Sequence, residues 1–247
     1  MIFSPIKIGS LEVSNRIVVA PMCQYSAING VMTDWHTQHL MQLGYSAAGL
    51  VMVEATAVER VGRITHNCVG MYNDLCESSI KKTLEQARSV APTNTSFGIQ
   101  LAHAGRKAST QRPWEGRLYL KKNESPWETC SASPIPFDKG WHVPRELSYK
   151  DMDRIKHSFV NASLRASQIG FDVIDRVFVD SWLTDNNIDL DLEVTASVMK
   201  RMQVDLNAVA ILSTYVTYVY VPEKEISSSP VAKSSDTNIN VNVDNNN

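Results

Sequence analysis

A thioether, a thiol and a phenol follow one another closely at Met22, Cys23 and Tyr25. They come just after Pro21, which lacks an N–H and cannot donate to a central ladder. The preceding run Arg16–Ala20 is apolar and rich in β-branched residues, so it reads as a buried strand that must stop there. Soft, polarisable groups at the carboxyl end of a strand suit a flat, polarisable ligand better than a phosphate or a metal. In parallel α/β architectures that end is where ligands sit. The same spacing also fits a plain buried strand and an ordinary turn, with Cys23 packed as a small hydrophobe.

Further strand ends carry polar groups. Leu50–Glu54 (LVMVE) reads as a second buried strand, with Ala55 and Thr56 at its carboxyl end. Phe97–Leu101 (FGIQL) reads as a third and holds Gln100 inside it. A buried amide must find hydrogen-bond partners, so Gln100 either braces the backbone or holds a ligand. His103, Arg106 and Lys107 follow at the end of that strand.

The elements that position these residues alternate. Thr33 or Asp34 starts a helix running to about Ala47, with Gly49 ending it. Asp74 with Glu77 reads as a capping box with Asp74 as the cap, ahead of Ile80, Leu84, Ala87 and Ala91 at helical spacing, and Pro92 stops that helix. Residues 103–148 are rich in Gly and Pro and carry Trp114, Trp127 and Trp141. This segment is a capping insertion, or a surface excursion with its own small aromatic core. Ser148 caps a third helix closed by Gly170, and a strand starts at Phe171. Strand–helix alternation of this kind argues for a parallel sheet with crossover helices, an α/β fold.

After Ile174 the alternation breaks, because Asp175–Val179 is strand-like again with no crossover before it. The run is either one long strand or a joint from which a segment has been lost. A helix around 188–202 and strands at 206–212 and 214–221 follow, and residues 222–247 read as a low-complexity, disordered tail.

Composition excludes several classes. With 247 residues, 43% apolar and 20% charged, the chain has the make-up of a globular protein. A net charge of -2 gives no general basic field, so nucleic acid is not an expected partner. No apolar run approaches the ~20 residues of a membrane span, and the N-terminus lacks the pattern of a signal peptide, so the expected compartment is cytoplasmic. The four cysteines match neither a zinc pattern nor a disulfide framework, and His36 with His39 is the one close histidine pair, so no metal site is expected.

The strand ends line up with a known family. APMCQYS at Ala20–Ser26, MVEATAV at Met52–Val58, GRIT at Gly62–Thr65 and IQLAHAGRKAS at Ile99–Ser109 resemble the Old Yellow Enzyme family, in its NADPH dehydrogenase and xenobiotic-reductase-like branch. RPWEG at Arg112–Gly116 and SASPIPF at Ser131–Phe137 fit it too, and the match is nearly continuous from Ile2 to about Ile174. The resemblance implies a (β/α)8 TIM barrel, here incomplete, with FMN at the carboxyl ends of its strands and NADPH or NADH as reductant. It implies that Ala20, Pro21, Met22 and Cys23 pack against the flavin, with Cys23 tuning its potential. Ala55 would lie near the reactive edge, Gln100 would hold the pyrimidine part, and Tyr25 would face a small-molecule substrate, an activated alkene.

Past Ile174 the resemblance weakens. The family's histidine motif and proton-donor tyrosine have no counterpart, so no catalytic residue is assigned. The run Arg176–Trp182 resembles the family's following strand, which would make Arg176 a flavin contact. The 11 glycines end at Gly170, leaving no glycine-bearing phosphate turn beyond it. The resemblance thus implies an FMN-dependent ene-reductase-like oxidoreductase in a shortened form, a barrel domain over 1–221 and a possible homo-oligomer. The alternatives are a non-catalytic remnant or a faulty gene model of a longer flavoenzyme.

Overall fold

The computed structural model describes residues 1–178. It opens with a hairpin of β1 (Ile6–Ile8) and β2 (Leu11–Val13), paired antiparallel with Ile6 opposite Val13. The two-residue turn Gly9-Ser10 explains it, because Gly9 takes a positive φ of 62° without steric cost. The main sheet has four parallel strands in the order β3 (Val18–Val19), β4 (Leu50–Ala57), β5 (Ser96–His103) and β8 (Val173–Phe178). Helices α1 (Asp34–Tyr45), α2 (Asp74–Val90) and α3 (Tyr149–Gln168) make the crossovers. Each strand lies beside its predecessor in sequence, as in the first half of a strand–helix barrel. The short strands β6 (Cys130–Ser131) and β7 (Arg145–Glu146) pair within the insertion.

The two faces of the sheet separate cleanly. Val51, Val53, Phe97, Ile99 and Leu101 pack outward against Leu40, Ile80, Leu84, Ala87, Ile155 and Phe159 of the helices. Each fully buried side chain of this size contributes about 1.5–3 kcal/mol. The inner face holds Leu50, Met52 and Val173, closed below by Val13 and by Ile6, Ile8 and Leu11 of the hairpin. Gly98 belongs to this face, because a Cβ there would lie 2.3 Å from Met52 Sδ.

Several expectations meet a different local solution. The strand before Pro21 is only Val18–Val19 long. Helix α1 ends through Ala47, which takes a positive φ of 60°, rather than at Gly49. Gly49 is needed for a close approach, since a Cβ on it would lie 2.4 Å from the Asn15 carbonyl oxygen. Asn73, not Asp74, caps α2 by accepting from the Cys76 N–H at 2.9 Å. Ser148 caps α3 as its sequence predicts, accepting from the Asp151 N–H at 3.2 Å. At the break after Ile174, residues Val173–Phe178 form one strand, in register with β5 throughout. The helix at 188–202, the strands at 206–212 and 214–221 and the tail at 222–247 lie outside the described residues.

Candidate functional site

The site is set by an irregularity in β4. Val53 pairs with Ile99, but the next partner pair is Ala55 with Gln100, so Glu54 is an extra residue in a bulge. The bulge reverses the alternation of β4. Below it Val53 points to the helices, and above it Ala55 shares the inner face with Gln100. Ala55 therefore lies within the strand on its inner face, not beyond the strand end. Thr56 is fully buried and donates to the Glu54 carbonyl at 2.8 Å.

Gln100 stands in register with Asp175 of β8 as well. Its Nε2 donates to Asp175 Oδ2 at 2.8 Å, and both side chains are buried. The primary amide has two N–H donors and one carbonyl, so a second N–H and the oxygen remain to present to a ligand. A donor beside an acceptor matches the alternating C=O and N–H groups of a flavin's pyrimidine edge. That chemistry fits the ring half of FMN.

The turn after β3 forms a second wall. Met22 is exposed, Ala20, Pro21, Cys23 and Tyr25 are half-buried, and the turn is pinned where the Gln24 N–H donates to Glu54 Oε2 at 3.1 Å. Burial pushes the Cys23 thiol well above its ordinary range, helped by Cys68 and by the charge of Glu54. Hydrogen bonds with the Ala55 backbone and Tyr25 pull the other way and do not win. Tyr25 adopts a positive φ of 50°, a strained conformation for a bulky residue. Its ring meets Trp114 of the insertion edge-on, with centroids 6.0 Å apart.

The insertion is anchored beside this wall. The Trp127 indole donates to the Val61 carbonyl at 2.9 Å, and the Trp127 N–H donates to Ser109 Oγ at 3.0 Å. Trp127 also stacks edge-on with His66, while Phe137, Tyr119 and Trp141 form a small aromatic cluster. The segment thus has its own aromatic core, and it reaches the turn through Trp114.

Arg176 falls elsewhere. It is the strand neighbour of Asp175 and partners Leu101, which faces the helices. The structure therefore puts Arg176 on the opposite face from Gln100, Ala55 and Asp175. The remaining sequence candidates Ala20, Pro21, Met22, Cys23 and Tyr25 belong to one turn beside the top of β4. Glu54 is the site residue that sequence reasoning missed, and Asp175, which stands where the resemblance implies the family's donors, has in Gln100 a partner that the sequence did not reveal. Their signal was a carboxylate inside an apolar run, LVMVEATA and DVIDRV.

A different group could be considered for a metal. Among the described residues, Glu59, His103 and Cys130 bring oxygen, nitrogen and sulfur within 4.8 Å of one another. Their hydrogen bonding argues for mutual satisfaction instead. His103 Nδ1 accepts from the Gly105 N–H at 3.1 Å, so Nε2 carries the ring proton and donates it to Glu59 Oε1 at 2.8 Å. Arg154 takes the other Glu59 oxygen. His36, with its neighbour His39 on α1, is buried and accepts from the Thr33 N–H at 3.0 Å.

Comparison with known proteins extends this geometry. The model of the NADH:flavin oxidoreductase / NADH oxidase family matches residues 1–192. The NADH:flavin oxidoreductase FG08077 of Gibberella zeae is 39% identical over 178 residues, 70% of this chain and 42% of that protein. An NADPH dehydrogenase of Listeria monocytogenes is 36% identical over 176 residues, 70% of this chain and 47% of its own length. The chain thus spans under half the length of these curated relatives. Among solved structures, morphinone reductase superposes with a TM-score of 0.63 at 20% identity, covering 81% of this chain and 59% of that one. The Old Yellow Enzyme from Pichia sp. AKU4542 superposes with a TM-score of 0.59 at 23% identity, covering 71% and 45%.

Proposed function

Because the chain belongs to the NADH:flavin oxidoreductase / NADH oxidase family, we propose that residues 1–178 form the ring-binding half of an FMN site in an Old Yellow Enzyme-like barrel. With FMN bound, such a site carries hydride from NADPH or NADH to the β-carbon of an activated alkene. The observation that carries the reading is the inner-face row of Ala55, Gln100 and Asp175 beside the Ala20–Tyr25 turn.

In this reading each residue has a defined task. Gln100 offers its free N–H and its carbonyl to the pyrimidine edge, while Asp175 fixes the orientation of the amide from behind. Ala55 has only a methyl group, so a flat ring can lie close to β4. Met22 and Cys23 offer polarisable sulfur to the ring face, and Cys23 does so as a neutral thiol because burial and Glu54 raise its pKa. Tyr25, held at positive φ and backed by Trp114, lines the substrate side.

The test is a titration of the purified chain with FMN, followed by flavin absorbance and fluorescence. Saturable quenching with a red-edge shift is the expected result. An FMN spectrum identical to that of the free cofactor would overturn the reading.

A second reading has one observation in its favour. Hydride transfer to an enone needs donors positioned for the oxygen that gains negative charge. Just past Ile174, where the family resemblance implies a histidine motif, the inner face of β8 presents the acceptor Asp175. A chain that binds FMN yet reduces simple enones poorly follows from that. Enone consumption by the FMN-loaded chain, measured with NADPH and with NADH, separates the two readings.

A further inference from the structure

Glu54 sits in the β4 bulge, buried, and touches the site only from behind. Its Oε2 accepts from the Gln24 N–H at 3.1 Å, and its Oε1 faces His36 Nε2 at 3.4 Å. His36 is itself buried, and because its Nδ1 accepts from the Thr33 N–H, its Nε2 carries the proton and points at the same carboxyl group. That Nε2 makes no hydrogen bond, and the Glu54 carboxyl group at 3.4 Å is the charged group it faces. A buried carboxyl group in the one unpaired residue of a strand is costly unless it serves its neighbours.

We propose that Glu54 is a positioning residue: its carboxyl group accepts from the N–H of the peptide joining Cys23 to Gln24, and so both holds the Ala20–Tyr25 turn and sets the reactivity of Cys23. The inference deepens the flavin reading of the turn, but its test needs no flavin. The groups around Cys23 come from three elements. Tyr25 lies on the same turn, Glu54 and the Ala55 backbone on β4, and Cys68 on the neighbouring loop. Behind Glu54, α1 supplies His36 and His39, and burial lowers the pKa of His39 against the pull of Glu54. Burial does most to oppose the Cys23 thiolate, Cys68 adds to it, and Glu54 contributes the charge of a carboxylate in the same direction.

The experiment is peptide-resolved iodoacetamide labelling of the FMN-free chain across neutral to alkaline pH. Thiol reactivity tracks the thiolate fraction, so Glu54→Gln should raise Cys23 labelling at neutral pH at least about 2-fold, the share of the smallest of the three raising causes. The buried Cys68, Cys76 and Cys130 serve as internal references. Glu54→Asp keeps the charge and should label like the parent. Equal Cys23 labelling in the parent and Glu54→Gln overturns the proposal. Should Glu54→Gln fail to fold, hydrogen exchange on the unaltered chain decides. The Gln24 amide should then exchange at least about 10-fold more slowly than an unprotected amide, and unprotected exchange overturns the proposal. A chain that binds no FMN would remove the flavin reading and leave these two readouts intact.

Discussion

Gln100 on β5 and Asp175 on β8 stand in register and share a 2.8 Å hydrogen bond on the inner face of the sheet. The pair links a residue that sequence analysis reads as a ligand contact to one that stands where the family resemblance implies a histidine motif. It also decides which of Gln100's polar groups remain for a ligand.

Gln100→Ala should weaken FMN binding by about 1–3 kcal/mol, the usual loss when a buried polar partner is left unpaired. The variant also leaves Asp175 buried without its donor, so it should unfold at lower urea. Gln100→Ala combined with Asp175→Ala should recover much of that stability without recovering FMN binding. Equal FMN titrations for the parent and Gln100→Ala would remove Gln100 from the site.

Stability should fall in alkaline solution through the cysteines. Burial raises the thiol pKa of Cys23, Cys68 and Cys76 in the folded chain. The unfolded chain then ionises these thiols first as pH rises. Their contribution is complete below the ordinary cysteine range and is lost as pH climbs through the folded values. Urea midpoints measured from neutral to strongly alkaline pH should decline, and replacing the three cysteines with alanine should flatten that decline.

Glu59 ties the end of β4 to β5 and α3 through His103 and Arg154. Burial would raise the Glu59 pKa, but the hydrogen bonds from His103 and Arg154 outweigh it and lower the value. Its contribution is therefore present above the ordinary glutamate range and is lost as pH falls through the lowered folded value. For His103 burial would lower the pKa, yet the partners Cys130 and Glu59 raise it. That contribution is complete below the ordinary histidine range and fades as pH rises through the raised value. Glu59→Ala should cost about 2 kcal/mol, in the range for an orphaned buried partner. Chemical denaturation of the variant near neutral pH checks this, and an unchanged midpoint would show that the group contributes nothing.

Gly49→Ala should destabilise by roughly 1–3 kcal/mol through overpacking. The added Cβ meets backbone, the Asn15 carbonyl at 2.4 Å, which cannot swing aside as a side chain would. Asn15 Oδ1 also accepts from the Gly49 and Ile17 N–H groups at 2.9 and 3.0 Å, so the substitution disturbs the entry to both β3 and β4. A melting temperature equal to the parent's would show that the loop gives way freely.

The sequence made β4, β5 and the three crossover helices legible because their apolar periodicity and end signals agree. Ser148 and its partner Asp151 are one example. The first hairpin went unread, although Gly9-Ser10 between alternating residues carries its signal. Local chemistry could not separate Asn73 from Asp74 as a cap, since both accept equally well. At the site, Cys23, Tyr25 and Gln100 were readable as unusual groups at strand ends. Glu54 and Arg176 were harder, because the face a residue takes depends on pairing across the sheet. A bulge changes that face without any fixed mark in composition.

The bulge at Glu54 divides β4 into two segments of opposite parity. Below it the odd-numbered residues Val51 and Val53 address the helices, and above it the odd-numbered Ala55 and Ala57 address the interior. Removing one residue here would therefore do more than shorten a strand. Loss of Ala55 would put Thr56 opposite Gln100, with a hydroxyl and a branched Cβ where only a methyl group now stands, whereas loss of Glu54 would erase the bulge and leave Ala55 in place. The length of this strand is thus counted in whole residues on each side of position 54. A chimera with a relative should exchange both halves with the bulge between them, because half a period out of step exchanges the wall of the site for the packing of the core.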